Sequence, residues 1–406
     1  MTVHKQTLLA RDTVRLALVT VLAVGGIAGS AVTLASLGHG SKSGIIGLGR
    51  ITEPSTTTQV LKKSAETRYG IALPESFSHM PADQISAQLQ QIKQTGFTDV
   101  RFTISWYAVQ PANAKNYNWK QYDTLLSAVS QSGLHGLAIL NYTPAWARAT
   151  ACPATAYCMP AQPGQFATFA AAAAHRYAPQ GLHHYEIWNE ENIRSFWQPS
   201  PSAVAYAGLL KAAYPAIKSA DPDATVITGG MSGVSVASAG YIEPRTYLAS
   251  LYQAGAKNYF DVLGYHAYTF PDAPNDSDGG KNAWSKLASV QPSLRSIMAD
   301  NGDADKQLWI TEVGAPTNGP GSTVGDGVRR TANSDHVVAS LQASIAEQAL
   351  QDSTQLPWLG ALFWYTYQDA STAQNTNENF FGLQTKTGIA KPALNVFTQF
   401  LRNRSD

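Results

Sequence analysis

Residues 184–188 read HYEIW, a short β-rich run that lies between two longer stretches with helical patterning. The same alternation can be followed along the chain from residue 68 to its end. Apolar runs typical of strands occur at residues 69–73, 99–105, 136–141, 184–188, 225–229, 261–268, 307–311 and 360–365. Helical patterns follow them at residues 82–95, 122–132, 165–177, 203–220, 245–254, 284–299, 334–351 and 392–401. Because strands alternate with helices, the sequence indicates a parallel sheet.

The number of strand–helix units indicates which kind of parallel sheet the chain forms. Eight units favour an α/β fold of the (β/α)₈ TIM barrel type, since open doubly wound sheets usually have fewer strands and a glycine-rich phosphate turn. No such turn, no P-loop and no H-E-x-x-H motif occurs in the sequence. We therefore expect one (β/α)₈ catalytic domain over residues 68–404.

The N-terminus has the pattern of an export signal. Lys5, Arg11 and Arg15 precede an uncharged stretch at residues 16–38, which as a helix would span the ~30 Å hydrocarbon core. The flanking charge predicts that the rest of the chain lies outside the membrane. Residues 1–38 can be an uncleaved signal-anchor, a cleaved signal peptide or a buried globular helix. The glycine- and threonine-rich residues 39–67 are typical of a flexible linker.

Composition excludes one class of partner. The chain has 29 Lys plus Arg against 28 Asp plus Glu, and charged residues make up 14% of it. A nucleic-acid-binding protein usually carries a basic excess or a basic stripe, so we expect no nucleic-acid partner. Low charge with 44% hydrophobic residues suits a large folded protein that works outside the cytoplasm.

The two cysteines, Cys152 and Cys158, lie six residues apart in a proline-containing segment. In an exported protein such a pair is expected to form a disulfide that clamps a loop, with two free thiols as the alternative. Zinc requires more ligands than this segment offers, and the nine histidines show no ligand spacing. We expect no metal and no cofactor.

Two glutamates stand where apolar strand runs end. Glu190 follows the fourth run and Glu312 follows the seventh, and in a (β/α)₈ barrel the chemistry lies at these carboxyl ends. A pair of carboxylates suits glycoside hydrolysis, in which one group protonates the leaving oxygen and the other attacks the anomeric carbon. A strand-end glutamate can also be merely solvated or paired with a lysine.

The two segments around these glutamates resemble a known group of enzymes. Residues 185–190, YEIWNE, and residues 309–314, WITEVG, are similar to the strand-four and strand-seven signatures of clan A glycoside hydrolases. Within that clan the chain resembles family 39, which contains β-xylosidases, α-iduronidases and exopolysaccharide hydrolases. The resemblance implies a retaining enzyme with Glu190 as acid/base, Glu312 as nucleophile and Asn189 holding the sugar 2-hydroxyl.

Three further polar residues are candidates for the same site. Arg101 lies inside an apolar strand run, where an unpaired charge would be costly, so it needs an acidic partner. The clan resemblance implies that Arg101 lies beneath the nucleophile, whereas a salt bridge at the barrel base is the alternative. His266 and Tyr268 share one strand face. The resemblance places one of them against Glu312, and core packing is the other interpretation.

Aromatic side chains can bind the apolar faces of sugars. Trp364, at the end of the eighth strand run, resembles the tryptophan that floors the sugar subsite in these enzymes. Trp146, after the third run, is a candidate for stacking on a neighbouring sugar. For Trp146, Trp106 and Trp197 a core position is an equal alternative. Glu191 is expected to point away from the site if Glu190 points into it.

Together these observations predict a retaining glycoside hydrolase that acts outside the cytoplasm on a cell-envelope or extracellular polysaccharide. We expect a monomer whose partner is a carbohydrate and which contacts the membrane only through an uncleaved N-terminal helix. The alternative is a catalytically silent barrel that binds glycans at the cell surface. A silent barrel would not need Glu190, Glu312 and Asn189 together.

Overall fold

The computed structural model describes residues 66–150, 152–234, 240–276, 282–325 and 334–404. The expected N-terminal helix at residues 1–38 and all but the last two residues of the linker at 39–67 lie outside this part of the chain. Within the described residues, no helix has both the length and the apolar character needed to cross a membrane.

In the described part of the chain, nine parallel strands form the central sheet. The strands of this part of the chain are β1 Arg68–Ala72, β2 Asp99–Ser105, β3 His135–Asn141, β4 His184–Ile187, β5 Thr225–Thr228, β6 Met231–Ser232, β7 Leu263–His266, β8 Leu308–Val313, β9 Ser322–Val324, β10 Ser334–Val337 and β11 Leu359–Tyr365. The strands of the central sheet follow one another in the order β5-β4-β3-β2-β1-β11-β8-β7-β6, and a separate two-stranded parallel sheet pairs β9 with β10.

The two edge strands of this sheet, β5 and β6, are consecutive in the chain and are separated only by Gly229 and Gly230. Nine strand segments therefore occupy the eight positions that the sequence predicted. The amide of Thr228 donates to the carbonyl of Val262, just before β7, over 3.0 Å. The sheet is thus a nearly closed parallel barrel, consistent with the (β/α)₈ architecture.

Helices connect the strands and surround the barrel. They are α1 Ala82–Thr95, α2 Trp106–Val109, α3 Lys120–Ser132, α4 Pro163–Tyr177, α5 Ala203–Ala220, α6 Pro244–Gln253, α7 Ser285–Ala288, α8 Leu294–Asp300, α9 Ala339–Ser353 and α10 Pro392–Arg402. Gly96 and Gly133 end α1 and α3 in the left-handed conformation, as their positions in the sequence indicate. Ser202 caps α5 by accepting a hydrogen bond from the amide of Ala205.

Two predicted helices differ from the structure. Residues 284–299 form the two short helices α7 and α8, because Pro292 between them lacks an amide hydrogen and cannot continue the α-helical ladder. The pattern predicted at residues 334–351 begins as strand β10, and only α9 is helical.

The apolar core has two layers. A large cluster fills the space between the barrel and its helices. A smaller cluster contributed by strands and strand ends all around the barrel fills its interior and consists of Ala72, Leu137, Ile227, Val262, Trp309, Ala361 and Phe363. Because side chains alternate along a strand, one strand can supply both layers, as β11 does with Leu362 in the outer cluster and Phe363 in the inner one. The interior layer forms a floor on which polar side chains can be held.

Cys152 and Cys158 form the expected disulfide in the loop after β3. Backbone hydrogen bonds join this loop to the loop after β4, from the amide of Met159 to the carbonyl of Gln198 over 3.0 Å and from the amide of Gln198 to the carbonyl of Tyr157 over 3.0 Å. The clamped loop is thereby fixed against the carboxyl end of β4.

Barrel closure depends on the close approach of β7 to the β5–β6 connection. A Cβ atom at Gly264 would lie 2.4 Å from the carbonyl oxygen of Thr228, whereas a Cβ atom at Gly164 in α4 would meet no atom within 4 Å. We expect Gly264→Ala to lower the free energy of unfolding by roughly 1–3 kcal/mol, and Gly164→Ala to raise it by up to about 1 kcal/mol. Chemical denaturation of both variants measures this difference. Equal effects of the two substitutions would contradict the tight closure at Gly264.

Candidate active site

A cavity of about 490 Å³ opens at the carboxyl ends of the barrel strands. Carboxylates, aromatic rings and one arginine dominate its wall. The described residues that line it are Leu73, Pro74, Glu75, Arg101, Thr103, Ile139, Tyr142, Tyr157, Asn189, Glu190, Phe196, Tyr268, Phe270, Glu312, Tyr365, Glu378 and Phe381. Both predicted strand-end glutamates are therefore in one cavity.

An unusual backbone presents Glu190. Trp188 has φ +75° and Glu190 has φ +47°, left-handed conformations that non-glycine residues rarely adopt. Buried contacts hold this turn in place: the Trp188 indole donates to the Phe196 carbonyl over 2.7 Å, and the Glu190 amide donates to the Gly230 carbonyl over 3.2 Å. Strained backbone of this kind is typical of functional sites. The turn directs the Glu190 side chain into the cavity.

Glu312 reaches the cavity through an irregularity in β8. Strict alternation from Trp309, which faces the barrel interior, would point Thr311 inward and Glu312 outward. The pairing register of β8 shifts against both of its neighbours, between Ile310 and Glu312 on the β7 side and between Ile310 and Val313 on the β11 side. Such a bulge re-aims side chains. As a result Thr311 and Glu312 both contact polar groups inside the barrel.

Arg101 is the central cation of the site and is 2% exposed. Its Nε donates to Glu186 Oε2 over 2.6 Å, and its Nη2 donates to Glu186 Oε1 over 3.0 Å. Its Nη1 donates to Glu312 Oε1 over 2.5 Å. The sequence predicted an acidic partner for Arg101, and the structure shows two, Glu186 and Glu312. Arg101 therefore lies against the candidate nucleophile, Glu312. Burial alone would lower the pKa of this guanidinium, but the charges of Glu186 and Glu312 and their hydrogen bonds outweigh burial and raise it, so Arg101 stays ionised.

Asn189 is oriented by the same arginine. Its Oδ1 accepts a hydrogen bond from Arg101 Nη2 over 2.9 Å. Its Nδ2 has no hydrogen-bond partner among the described residues, although Asn189 is only 8% exposed and lines the cavity. A donor is therefore available to a ligand beside Glu190.

His266 and Tyr268, which share a face at the end of β7, contact the two glutamates in different ways. The Tyr268 hydroxyl donates to Glu312 Oε2 over 2.7 Å. His266 Nδ1 lies 3.1 Å from Glu190 Oε1 and 3.6 Å from Glu312 Oε2. Tyr268 is thus the residue hydrogen-bonded to Glu312, while the fully buried His266 lies between the two glutamates.

The surroundings of Glu312 favour its ionised form. Burial alone would raise the pKa of this carboxyl. The charges of His266 and Arg101, with the hydrogen bonds from Tyr268 and Arg101, outweigh burial and hold the pKa of Glu312 below its ordinary value. Glu312 therefore carries its negative charge at neutral pH, as a nucleophile requires.

Glu191 points away from the cavity, as expected. It is fully buried, and neither of its oxygens is hydrogen-bonded to another described residue. A Cβ atom at Gly229 would lie 2.2 Å from Glu191 Oε2, so the surrounding backbone is close. Burial raises the pKa of the Glu191 carboxyl well above its ordinary value, which favours the neutral acid.

The structure does not bring the two candidate tryptophans to the cavity. Trp364 is fully buried on the outer face of β11, where its ring lies 5.4 Å from that of Phe397 in α10. Trp146 packs edge-on against Trp106 and donates from its indole to the Gln110 carbonyl over 2.8 Å. Because side chains alternate along β11, Tyr365 lines the cavity instead.

Several residues of the site carried no clear signal in the sequence. Glu186 could have been found from the need of Arg101 for an acidic partner, since it precedes Glu190 by four residues. Glu75 and Glu378 line the cavity from loops that have no recognisable motif. Tyr157 is brought there by the disulfide-clamped loop, with its ring 5.1 Å from that of Tyr142.

No group of three or more His, Cys, Asp or Glu side chains in the described part of the chain is arranged to hold a metal ion.

Comparison with known proteins agrees with this geometry. Residues 63–348 match the family described as Cellulase (glycosyl hydrolase family 5). The chain belongs to glycosyl hydrolase family 5. Family 5 and the family 39 that the sequence resembles are both in clan A, so the predicted clan is confirmed. No curated protein matches this family 5 chain.

Solved structures from both families share the fold of this family 5 member. A family 39 glycoside hydrolase from Bacteroides cellulosilyticus is 22% identical, with a TM-score of 0.63, over 82% of this chain and 63% of that one. A family 39 β-xylosidase from Caulobacter crescentus is 19% identical, with a TM-score of 0.57, over 82% and 70%. A family 5 enzyme from Streptomyces cattleya, solved with GlcNAc, is 16% identical, with a TM-score of 0.59, over 84% and 80%. The alignment thus spans less than two thirds of the Bacteroides enzyme.

The hydrogen bond from Tyr268 to Glu312 can be tested directly. Tyr268→Phe removes a donor to the ionised carboxylate, so we expect the pKa of Glu312 to rise by roughly 1–2 pH units. Titration of ¹³C-labelled glutamate carboxyls by NMR measures the shift, and loss of the signal in Glu312→Gln assigns it. Tyr265→Phe is the matched control, because the Tyr265 hydroxyl donates to the Ala283 carbonyl instead. An unchanged pKa in Tyr268→Phe would disprove this contact.

Proposed function

We propose that this protein is a retaining glycoside hydrolase in which Glu312 is the nucleophile and Glu190 is the acid/base. The observation that carries the proposal is that one nitrogen, His266 Nδ1, lies 3.1 Å from a Glu190 oxygen and 3.6 Å from a Glu312 oxygen. Those two oxygens cannot be farther apart than the sum of the two distances. The largest possible distance between them lies at the lower end of the ~6.5–9.5 Å range of carboxyl separations in inverting enzymes. It is compatible with the ~5–5.5 Å separation in retaining enzymes.

In the first half-reaction a Glu312 oxygen forms a bond to the anomeric carbon while the bond from that carbon to the glycosidic oxygen breaks. Glu190 donates its proton to the departing oxygen, and a covalent glycosyl ester remains on Glu312. In the second half-reaction Glu190 removes a proton from water as the water attacks the same carbon. The bond from this carbon to the Glu312 oxygen breaks as the bond to water forms, so Glu312 is released as a carboxylate and the sugar leaves with its original anomeric configuration.

The neighbours of the two glutamates support these roles. Arg101 and Tyr268 each hold one oxygen of Glu312, so the charged carboxylate is fixed before substrate binds. Such preorganisation avoids rearrangement during the reaction. The free Nδ2 of Asn189 is placed to donate to the sugar hydroxyl next to the reacting carbon, as the clan resemblance implies.

We also propose that the enzyme works outside the cytoplasm on a cell-envelope or extracellular glycan, as a monomeric catalytic domain over residues 68–404. The disulfide between Cys152 and Cys158 supports an oxidising compartment. The uncharged stretch at residues 16–38 would serve as a signal-anchor or a cleaved signal. Full-length protein in washed membranes would indicate the anchor, and a mature N-terminus near Ala31 would indicate cleavage.

Three isosteric substitutions test the catalytic assignment. Glu312→Gln is expected to abolish turnover because it removes the nucleophile. Glu190→Gln is expected to slow hydrolysis by roughly 10²–10⁴-fold, and by much less for aryl glycosides whose leaving group needs no protonation. Glu191→Gln is expected to stay within about twofold of the natural enzyme, since Glu191 is buried as the neutral acid outside the cavity.

Reducing-sugar release from a polysaccharide panel, followed by rates on aryl glycosides, measures these effects. Wild-type rates in Glu312→Gln would remove the assignment. A protein that binds a glycan of the panel but releases no reducing sugar would instead be the catalytically silent binding barrel.

A further inference from the structure

Two more carboxylates face the cavity besides the catalytic pair. Glu75 begins the single helical turn Glu75–His79 after β1, and Glu378 lies in the turn Asn377–Phe380 after β11. The strands β1 and β11 are paired, with Ala72 beside Tyr365 at their carboxyl ends. Both glutamates therefore stand on adjacent loops at the mouth of the barrel, where loops of this fold shape specificity.

Neither carboxylate serves the fold. Glu75 and Glu378 form no side-chain hydrogen bond or ion pair with any described residue, and both side chains are accessible from the cavity. Asp369, on the same loop as Glu378, shows the contrast, because it is paired with Lys391 over 2.7 Å. An unpartnered carboxylate in a cavity wall is available to a ligand.

An unpartnered side-chain donor in the cavity wall also points to a ligand with polar groups. Asn189 is more than nine-tenths buried and lines the cavity, yet its Nδ2 is without a partner among the described residues. A donor held in this way can be satisfied by an acceptor that enters the cavity, such as a sugar hydroxyl. The cavity thus offers a donor at its base and two acceptors at its mouth.

The charge of the cavity is strongly one-sided. Glu75, Glu190, Glu312 and Glu378 line it, and Arg101 is the sole Lys or Arg among its described lining residues. The guanidinium of Arg101 is committed to Glu186, Glu312 and Asn189. No described lining residue is therefore a free Lys or Arg that could pair with an anionic group of a substrate.

The negative potential extends to the mouth. Although the Glu378 side chain is exposed, enclosure by the cavity wall and the charges of Glu312 and Glu190 raise its pKa to about 7, so this carboxyl is fully charged only above neutral pH. Enclosure by the cavity wall also raises the pKa of Glu75, whose side chain is exposed, and the charge of the neighbouring His79 opposes this increase. An incoming carboxylate or sulfate would meet the same repulsion that the carboxyl of Glu378 experiences.

We propose that Glu75 and Glu378 make the cavity selective for glycans without acidic groups, because they accept hydrogen bonds from sugar hydroxyl or amino groups and repel carboxylates and sulfates. This selectivity rests on the proposed function, since it assumes that the cavity holds the sugar to be cleaved. It makes neutral or amino-bearing glycans the substrate class and excludes uronic-acid polymers.

Binding of matched oligosaccharides to the Glu312→Gln protein tests the proposal without turnover. The probes are xylo-, manno-, cello- and glucosamine oligosaccharides, together with oligogalacturonates beside their carboxyl-reduced forms, in which CH₂OH replaces the carboxylate. We expect the protein to bind at least one neutral or amino probe. Each acidic probe should bind at least about tenfold more weakly than its reduced form, as expected for a unit charge placed a few ångströms from another. Isothermal titration calorimetry measures the affinities at a pH about one to two units above the pKa of Glu378, where this carboxyl is charged, and added salt should bring the affinities for the acidic and reduced probes closer together.

The substitutions Glu75→Gln and Glu378→Gln, added separately and together, should reduce the preference for the reduced probe by about tenfold in total. Glu347→Gln is the matched control, because Glu347 is exposed on α9 outside the cavity wall. Equal affinity for acidic and reduced probes, an unchanged preference in the double variant, or no binding of any probe would overturn the proposal.

Cleavage by the unmodified enzyme is measured separately on the same probes. Cleavage without charge preference would leave the proposed function in place and remove the selectivity. Charge-selective binding without cleavage of any probe would leave the selectivity in place and remove the proposed hydrolase function.

Discussion

The structure depends on one buried cation. Arg101 is 2% exposed in the barrel interior, and its charge is compensated by Glu186 from β4 and Glu312 from β8. Removing one partner from such a buried group costs about 3–5 kcal/mol, so the three strands must hold these residues together for the barrel to be stable. The same contacts fix the orientation of Asn189 and the ionisation of Glu312. The contacts that fix the barrel register therefore also fix the geometry proposed for catalysis.

Much of this arrangement could be predicted from the sequence. The strand 99–105 and the helices 82–95 and 203–220 have the predicted bounds, because their apolar periodicity is strong and their ends carry clear signals such as Gly96. Glu190 and Glu312 could be placed in one cavity because parallel strands end on the same side of a barrel. The sequence also required an acidic partner for Arg101.

The remaining details depend on contacts between distant segments. The bulge in β8 that turns Glu312 inward arises from its pairing with two neighbouring strands and has no sequence signal of its own. Trp364 was expected in the cavity, but the register of β11 places Tyr365 there and buries Trp364 against α10. Glu75 and Glu378 line the same cavity because their loops leave adjacent strands. None of these features follows from local periodicity.

The most direct test of the catalytic account is the identification of the residue that bonds to the sugar. The protein is incubated with 2-deoxy-2-fluoroglycosyl fluorides of the sugars it cleaves, digested with protease and analysed by mass spectrometry. If Glu312 is the nucleophile, one glycosylated peptide is expected, with the sugar esterified to Glu312. A sugar attached to another side chain, or continued turnover through a product of inverted anomeric configuration without any adduct, would contradict it.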